Sequence, residues 1–419
     1  MKYGLIGYPL GHSYSCELHG LLGNPEYSLN ELLPRELDSF FESRDFYGLN
    51  VTIPYKKEVV KYLDNLSDEA EQIGAVNTVV NRDGVLSGYN TDAFGLEKLV
   101  RRVLPEGLHG KNVLILGTGG SSLTAKYVSK KLGAEKVLFL SRNPTGNGVI
   151  GVSDISDVCT DINLIINCTP VGMYPDETND LPYGIDLSGF CNLSGVVDLI
   201  YNPLRTNLVL RAQEAGVRAE GGLFMLCAQA ARAHELFFSL DPAPREDSLY
   251  ASFLSSKRNV ILIGMPSCGK SSVGRELSRL SRADLIDCDD EIEKYTGKRI
   301  RQIFEQDGEP AFREIEKKII SGLCISAGGK IIASGGGAVK DPENIRNFKK
   351  NGVVVFIDRS PEKLIATKDR PLSKDMDAVK RLYEERIDLY RSAADVTVDG
   401  NGTVSDTARN IIRILYPGV

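Results

Sequence analysis

The chain has 419 residues, 42% of them hydrophobic, which is enough for two or three separate cores rather than one. A formal net charge of −6, with both signs spread along the chain and no basic block, speaks against nucleic acid or an anionic membrane as the main partner and for small solutes. The 8 cysteines form no CxxC pair and there are 4 histidines, so neither a disulfide framework nor a structural zinc site is expected. The opening "MKYGLIGYPLGHS" is broken by Gly4, Gly7 and Pro9, and no later apolar run approaches membrane-spanning length. The expectation is a soluble cytoplasmic protein.

Short apolar runs alternate with amphipathic stretches in the rhythm of βαβ units, which predicts an α/β fold throughout. The first clear junction is the strand "NVLILG" (112–117), followed by "TGGSSLTA" at a helix start. Gly117, Gly119 and Gly120 stand between strand and helix, without the third glycine of G-x-G-x-x-G. The next strand ends in "LFLSRN", so Arg142 falls where an NAD site usually has an acidic residue for the ribose hydroxyl; an arginine suits the 2′-phosphate of NADP. On these residues alone, an ordinary βα turn with a surface arginine fits as well. Further on, "SLDPAPREDSLYASFLSSK" (239–257) is polar and proline-containing, which predicts a domain boundary with a linker over 241–257.

The second junction is more specific. Strand 259–263 leads into "GMPSCGKSSVG" (264–274), which satisfies G-x-x-x-x-G-K-[ST] with a strand before it and an amphipathic helix after it. Gly264, Ser267, Cys268, Gly269, Lys270, Ser271 and Ser272 are the expected phosphate cradle for ATP, with Lys270 on the β and γ phosphates and Ser271 on Mg2+.

The N-terminal part carries, in order, "GHSYSCELH" (11–19), "GLNVTIPYKK" (48–57), "IGAVNTVV" (73–80), "GYNTDAFG" (88–95), "INCTPVGM" (166–173), "DLIYNPLRT" (198–206) and "GGLFMLCAQA" (221–230). Residues 1–240 thereby resemble shikimate dehydrogenase. The resemblance implies that Ser13 and Ser15 bind the substrate carboxylate, that Thr52, Asn77 and Gln229 hold hydroxyls, and that Lys56 and Asp92 form the catalytic pair. It places Tyr201 and Gly222 near the nicotinamide, and Gly117, Gly119, Gly120, Ser121, Arg142 and Asn143 on the rest of NADP(H). Hydride transfer to a ketone creates an alkoxide, so an acid such as Lys56 must meet that oxygen while a carboxylate orients it. In isolation "PYKKEVV" reads as a solvated helix start, and His12 is read as a packing or hydrogen-bonding residue. Cys16 and Gly20 stand where relatives have proline and asparagine.

After the second junction come "LIDCDDEIEKYTGKRIRQIFEQDGEPAFREIE" (285–316), "ASGGGAV" (333–339), "DRPL" (369–372) and "EERIDLY" (384–390). From Asn259 to the C-terminus the chain resembles shikimate kinase. The resemblance implies that Asp287 supports the metal and Asp289 orients the attacking hydroxyl of shikimate. Arg313 and Arg386 would hold its carboxylate, Gly336 would meet it through the backbone, and Arg370 would close a lid over the phosphates. Planar guanidinium forks suit a carboxylate, and phosphoryl transfer needs cations where charge accumulates. Any one arginine in so charged a stretch also fits a solvated helix face; Glu316, one turn from Arg313, favours the site reading. Ser267 stands where many relatives have glycine, and the lid around "ATKDRPLSKD" is short.

Together these resemblances imply a fused enzyme running consecutive steps toward chorismate and the aromatic amino acids, acting on 3-dehydroshikimate and shikimate. The expected architecture is a substrate lobe (1–92 plus 216–240), a Rossmann lobe (93–215), the linker, and a kinase with a parallel sheet over 258–419. Two alternatives stand beside it: an inactive metabolite sensor or repressor, and a quinate dehydrogenase joined to another small-molecule kinase. Oligomeric state is left open.

Overall fold

The computed structural model describes residues 2–416 apart from 12, 176–179, 242–244, 326 and 365–375. Alternating apolar runs in the first ninety residues build a mixed sheet from β1 (Tyr3–Gly7), β2 (Tyr27–Glu31), β3 (Gly48–Val51), β4 (Asn65–Leu66), β5 (Thr78–Arg82) and β6 (Val85–Tyr89), in the order β2-β1-β3-β5-β6-β4. The β5–β6 hairpin closes on Asp83 and Gly84, both at positive φ (50° and 88°), as a two-residue primed turn requires.

The second sheet is parallel: β7 (Asn112–Leu116), β8 (Lys136–Ser141), β9 (Val149–Gly151), β10 (Leu164–Asn167), β11 (Gly195–Asp198) and β12 (Arg218–Glu220), ordered β12-β11-β10-β7-β8-β9. Strand order reverses between β7 and β10, and the crevice at such a switch point is where doubly wound sheets bind ligands. Because β12 pairs with β11, the chain returns to the first lobe later than expected, with the helix Leu223–Phe238 rather than at residue 216. That helix packs on the helix Thr91–Val103. A side-chain carbon on Gly95 would lie 2.6 Å from Met225 O, so glycine lets the two backbones approach. Its far end drives Phe237 under Gly48 of β3.

The segment predicted as a linker is the clearest correction. Residues Glu246–Lys257 form a helix, and Glu246, Leu249 and Phe253 are buried. The chain divides into two units, and the first of them runs on to Phe253. Glu246 pairs with Lys98 at 2.6 Å and Asp247 with Arg102 at 2.9 Å, while Tyr250 meets Phe224 edge-on at 5.3 Å. A polar composition therefore concealed an element that the first unit packs against its own core. The piece Asn202–Leu210, expected in the Rossmann lobe, groups instead with the second unit, where Leu204 N donates to Asn351 Oδ1 at 2.9 Å.

The second unit is built on a parallel sheet of β13 (Asn259–Ile263), β14 (Leu285–Asp287), β15 (Ile331–Ala333), β16 (Gly352–Asp358) and β17 (Val396–Asp399), in the order β14-β15-β13-β16-β17. The apolar runs Val260–Ile263 of β13 and Val353–Ile357 of β16 are buried on both faces, as central strands of a helix-covered parallel sheet must be.

Candidate active sites

In the first unit, Lys56 lies just past β3 and Asp92 in the first turn of the 91–103 helix, where the helix N-terminus favours a carboxylate. Asn90 caps that helix, its side chain accepting from Ala93 N at 3.1 Å. The fold brings Lys56 Nζ to 2.6 Å from Asp92 Oδ2, both side chains partly open to solvent. Asn77, just before β5, is buried; its Oδ1 accepts from Thr91 N at 2.6 Å and its Nδ2 donates to Thr91 Oγ1 at 3.0 Å. Thr91 Oγ1 also reaches Gln229 Oε1 at 3.4 Å, so three elements lock Asn77, Thr91 and Gln229 into one chain of contacts beside the lysine–aspartate pair.

Ser13 Oγ donates to Ser15 Oγ at 3.0 Å and accepts from Ser15 N at 3.2 Å, fixing the two hydroxyls together ahead of the helix Ser15–Leu21. Between them Tyr14 lies tilted against Tyr201 at 5.5 Å and edge-on to Phe253 at 5.3 Å. Burial pushes the Tyr14 phenol up to about 12. Thr52 follows β3 with its N–H on Ile6 O at 2.9 Å. Gly222 N donates to Ile200 O at 2.8 Å, and a side-chain carbon there would lie 2.2 Å from Leu199 O. His12 falls outside the described residues.

Sequence reasoning passed over Thr91 and Asn50, although both sit inside the quoted motifs. Asn50 is buried; its Oδ1 accepts from Tyr27 OH at 2.8 Å and from His19 Nε2 at 3.2 Å, and its Nδ2 donates to Thr78 Oγ1 at 3.0 Å. Burial foremost, then the neighbouring His234, lowers the His19 pKa to about 3, so this network stays neutral. It supports Asn77 from behind through Asn50 Nδ2 on Asn77 O.

At the end of β7, Gly117 turns the chain at φ 99°, where a side-chain carbon would meet Thr169 at 3.1 Å. Gly119 precedes the helix Gly120–Lys131 without a side-chain cap. Side-chain carbons on Gly119 and Gly120 would find nothing within 4 Å, so the uncapped helix start is open to an approaching ligand. Ser121 is exposed on the first turn, and Arg142 and Asn143 are exposed just past β8, with Asn143 N held by Ser141 Oγ at 3.2 Å.

In the second unit a cavity of about 990 Å³ is lined by the 266–272 loop, Asp287, Asp289, Arg313, Gly335 to Gly337 and Arg386. Gly264 and Gly269 take positive φ, and Ser267 joins them at φ 65°, a left-handed conformation that glycine would adopt without strain. Cys268 is buried beneath the loop. Lys270 Nζ folds back on Gly264 O at 2.8 Å and Met265 O at 3.1 Å. Ser271 Oγ donates to Asp287 Oδ2 at 2.5 Å, while Asp287 Oδ1 caps the helix Cys288–Thr296 through Asp289 N at 3.0 Å. Ser272 lines the cavity one residue further along the helix Lys270–Ser281.

The triple glycine lets three neighbours close in, and at Gly336 the neighbour is the rigid Pro266 ring and backbone. Side-chain carbons on Gly335, Gly336 and Gly337 would lie 2.5 Å from Glu316 Oε1, 2.9 Å from Pro266 and 2.2 Å from Arg313 Nη2. Arg313 is held by Glu316 Oε2 at 2.6 Å and Glu309 Oε1 at 3.0 Å. Burial raises the Glu316 carboxyl pKa although Arg313 opposes it, and Glu316 Oε1 has no hydrogen-bond partner. Arg386, 2% exposed, donates from Nη1 to Gly336 O at 3.1 Å, and its Nε lacks a hydrogen-bond partner. A buried guanidinium with unspent donors at a cavity wall is fitted to receive an anion. Tyr390 OH donates to the same Gly336 carbonyl, a partner the motif reading omitted. Arg370 lies outside the described residues.

One unit thus carries the site of a two-lobed dehydrogenase, and the other that of a P-loop kinase. Residues 5–79 match the shikimate dehydrogenase substrate binding domain, and residues 266–416 match shikimate kinase. Shikimate dehydrogenase (NADP(+)) of Halothermothrix orenii is 37% identical over 265 residues, 57% of this chain and 91% of the relative. A solved chorismate mutase/shikimate 5-dehydrogenase fusion protein from Clostridium acetobutylicum is 36% identical with a TM-score of 0.56, over 60% of this chain and 96% of that one. Shikimate 5-dehydrogenase from Thermus thermophilus, solved with NADP(H) and shikimate, is 29% identical with a TM-score of 0.51, over 60% of this chain and 99% of that one. The chain belongs to the shikimate dehydrogenase family and carries a shikimate kinase domain behind it, making it a bifunctional enzyme of the shikimate pathway.

Proposed function

We propose that the first unit reduces 3-dehydroshikimate to shikimate with NADPH and that the second transfers the γ-phosphoryl group of ATP to the 3-hydroxyl of shikimate. In each unit one juxtaposition carries the reading: the 2.6 Å Lys56–Asp92 pair, and the shared cavity of Lys270, Asp289, Arg313 and Arg386. Among the described residues no helix is long and apolar enough to cross a membrane.

The open, uncapped start of the 120–131 helix fits a dinucleotide pyrophosphate, and exposed Arg142 fits a 2′-phosphate. Bound there, NADPH supplies the hydride. The residues of the chain manage the proton and the pose. As the carbonyl π pair moves onto oxygen, Lys56 releases a proton from Nζ to that oxygen, and Asp92 keeps the ammonium aimed. Ser13 and Ser15 donate to the substrate carboxylate, while Thr52, Asn77 and Gln229 hold its hydroxyls. Tyr201 and Gly222 border the nicotinamide end, and Gly117, Ser121 and Asn143 complete the dinucleotide contacts.

Ser271 Oγ and Asp287 Oδ2 are two hard oxygens side by side, the donor type Mg2+ takes alongside phosphate and water. Bound there, Mg2+ supplies positive charge to the phosphate oxygens. Lys270 exchanges its loop carbonyls for the β and γ phosphates, and the 270–281 helix N-terminus adds its N–H groups. Arg313 and Arg386 clamp the shikimate carboxylate, and Gly336 meets the ring through its backbone. Asp289 accepts the proton of the attacking hydroxyl as its oxygen bonds to the γ phosphorus and the bond to the β–γ bridging oxygen breaks. Arg370 is proposed to close over the phosphates.

The test is to supply 3-dehydroshikimate, NADPH and MgATP and to follow NADPH loss and phosphorylated product separately. Both should appear, with one equivalent of NADPH oxidised per shikimate formed. NADPH loss with no phosphorylated product, even when shikimate is added directly, would refute the kinase assignment.

A further inference from the structure

One cation beside the phosphate loop has no role in the scheme above. β16 pairs in register with β13, Phe356 opposite Ile263, so Arg359 leaves the sheet at the edge where the 264–269 loop begins. A side-chain carbon built on Gly269 would lie 3.8 Å from Arg359 Nη1, which puts the guanidinium over the residue that caps the 270–281 helix. The stem is fixed on the other side. Arg359 Cβ would be 3.4 Å from a carbon on Gly400, Gly400 N donates to Asp358 O at 2.8 Å, and Ser360 N donates to Asn401 Oδ1 at 3.1 Å.

Arg359 Nε is buried without a hydrogen-bond partner, and among the described residues the guanidinium meets no carboxylate within ion-pair distance. Arginines that line the cavity are ion-paired instead: Arg299 with Glu293, Arg301 with Glu305, Arg313 with Glu309 and Glu316, and Arg386 with Glu385 at 3.7 Å. A helix N-terminus carries partial positive charge, so a second cation against it is unfavourable until an anion arrives between them. The same anion would satisfy both sets of donors.

We infer that Arg359 is a further nucleotide-contacting residue, donating to the phosphate chain of the nucleotide bound on the 264–272 loop. This deepens the kinase reading and rests on it. The chemistry is charge-assisted hydrogen bonding to phosphate, and it acts on nucleotide affinity rather than on shikimate.

The test uses the full chain with Arg359→Ala and with Arg359→Met, which keeps the packing of the stem. KM for ATP and the Kd of ADP by calorimetry should each rise about tenfold in both variants, while KM for shikimate and NADPH-dependent reduction stay unchanged. Arg359→Lys should recover part of the loss. An ATP KM and ADP Kd within twofold of the unmodified chain in the methionine variant would overturn the inference, as would equal changes in the KM values of ATP and shikimate. If the unmodified chain makes no phosphorylated shikimate yet binds ADP tenfold more tightly than Arg359→Met, the kinase reading falls and the inference stands.

Discussion

Ending the first unit before the 246–257 helix should cripple the dehydrogenase, although the composition there suggests a dispensable tether. Leu249 is 6% exposed and Phe253 is 0% exposed, and removing each from contact costs about 1.5–3 kcal/mol of burial, so the pair accounts for roughly 3–6 kcal/mol. The Lys98–Glu246 pair and the Tyr250–Phe224 contact are lost as well. Domains are stable by only about 5–15 kcal/mol, so a loss of that size consumes a large part of the margin. Function should suffer beyond stability, because Phe253 backs Tyr14, which sits between Ser13 and Ser15 and against Tyr201. Fragments 1–245 and 1–257 should be compared by thermal unfolding and by NADPH oxidation with 3-dehydroshikimate. The longer fragment should fold cooperatively and turn over; the shorter should unfold at least ten degrees lower and lose most of its turnover at assay temperature. A 1–245 fragment matching 1–257 in both would show that the helix contributes nothing to the site, and the reasoning would fail.

Lys56→Ala should lower dehydrogenase turnover by about a hundredfold or more and leave phosphorylation intact; near-normal NADPH oxidation by the folded variant would remove Lys56 from the mechanism. Arg142→Ala should weaken NADPH far more than NADH, measured as the ratio of their kcat/KM values, and equal use of both by the unmodified chain would defeat the assignment. Lys270→Ala should abolish phosphorylation, whereas Arg386→Ala should act chiefly on shikimate KM; an effect confined to ATP would place Arg386 in the wrong pocket. Ser267→Gly should relieve the left-handed strain at φ 65°, raising stability of the second unit by about 0.5–1 kcal/mol against the entropy glycine adds to the unfolded chain; differential scanning calorimetry would read an unchanged or lower Tm as refutation.

The residues proposed for both sites stand in short contiguous motifs. The 264–271 loop states its own geometry, since glycines, lysine and serine at fixed spacing have one common use between a strand and a helix. The Asp83–Gly84 turn is local in the same way. The motif residues left unassigned were those that face other protein groups: Asn50 and Thr91 hold Asn77, and Tyr390 holds Gly336. For the 246–257 helix a signal was present, Leu249 and Phe253 four residues apart, beneath a composition that reads as linker.

By itself the sequence determined the α/β class and the two glycine-bearing strand–helix junctions. Those depend on backbone conformation and side-chain chemistry acting within a few residues. Only the tertiary structure decided that Lys56 meets Asp92, that Glu316 is buried against Arg313 while Arg386 keeps unspent donors, and that a polar stretch packs as a helix on the first unit. Partners far apart along the chain are joined by packing, and packing is set by which apolar faces find one another. Whether a charged side chain is paired or left waiting for a ligand follows from that arrangement, and no local pattern specifies it.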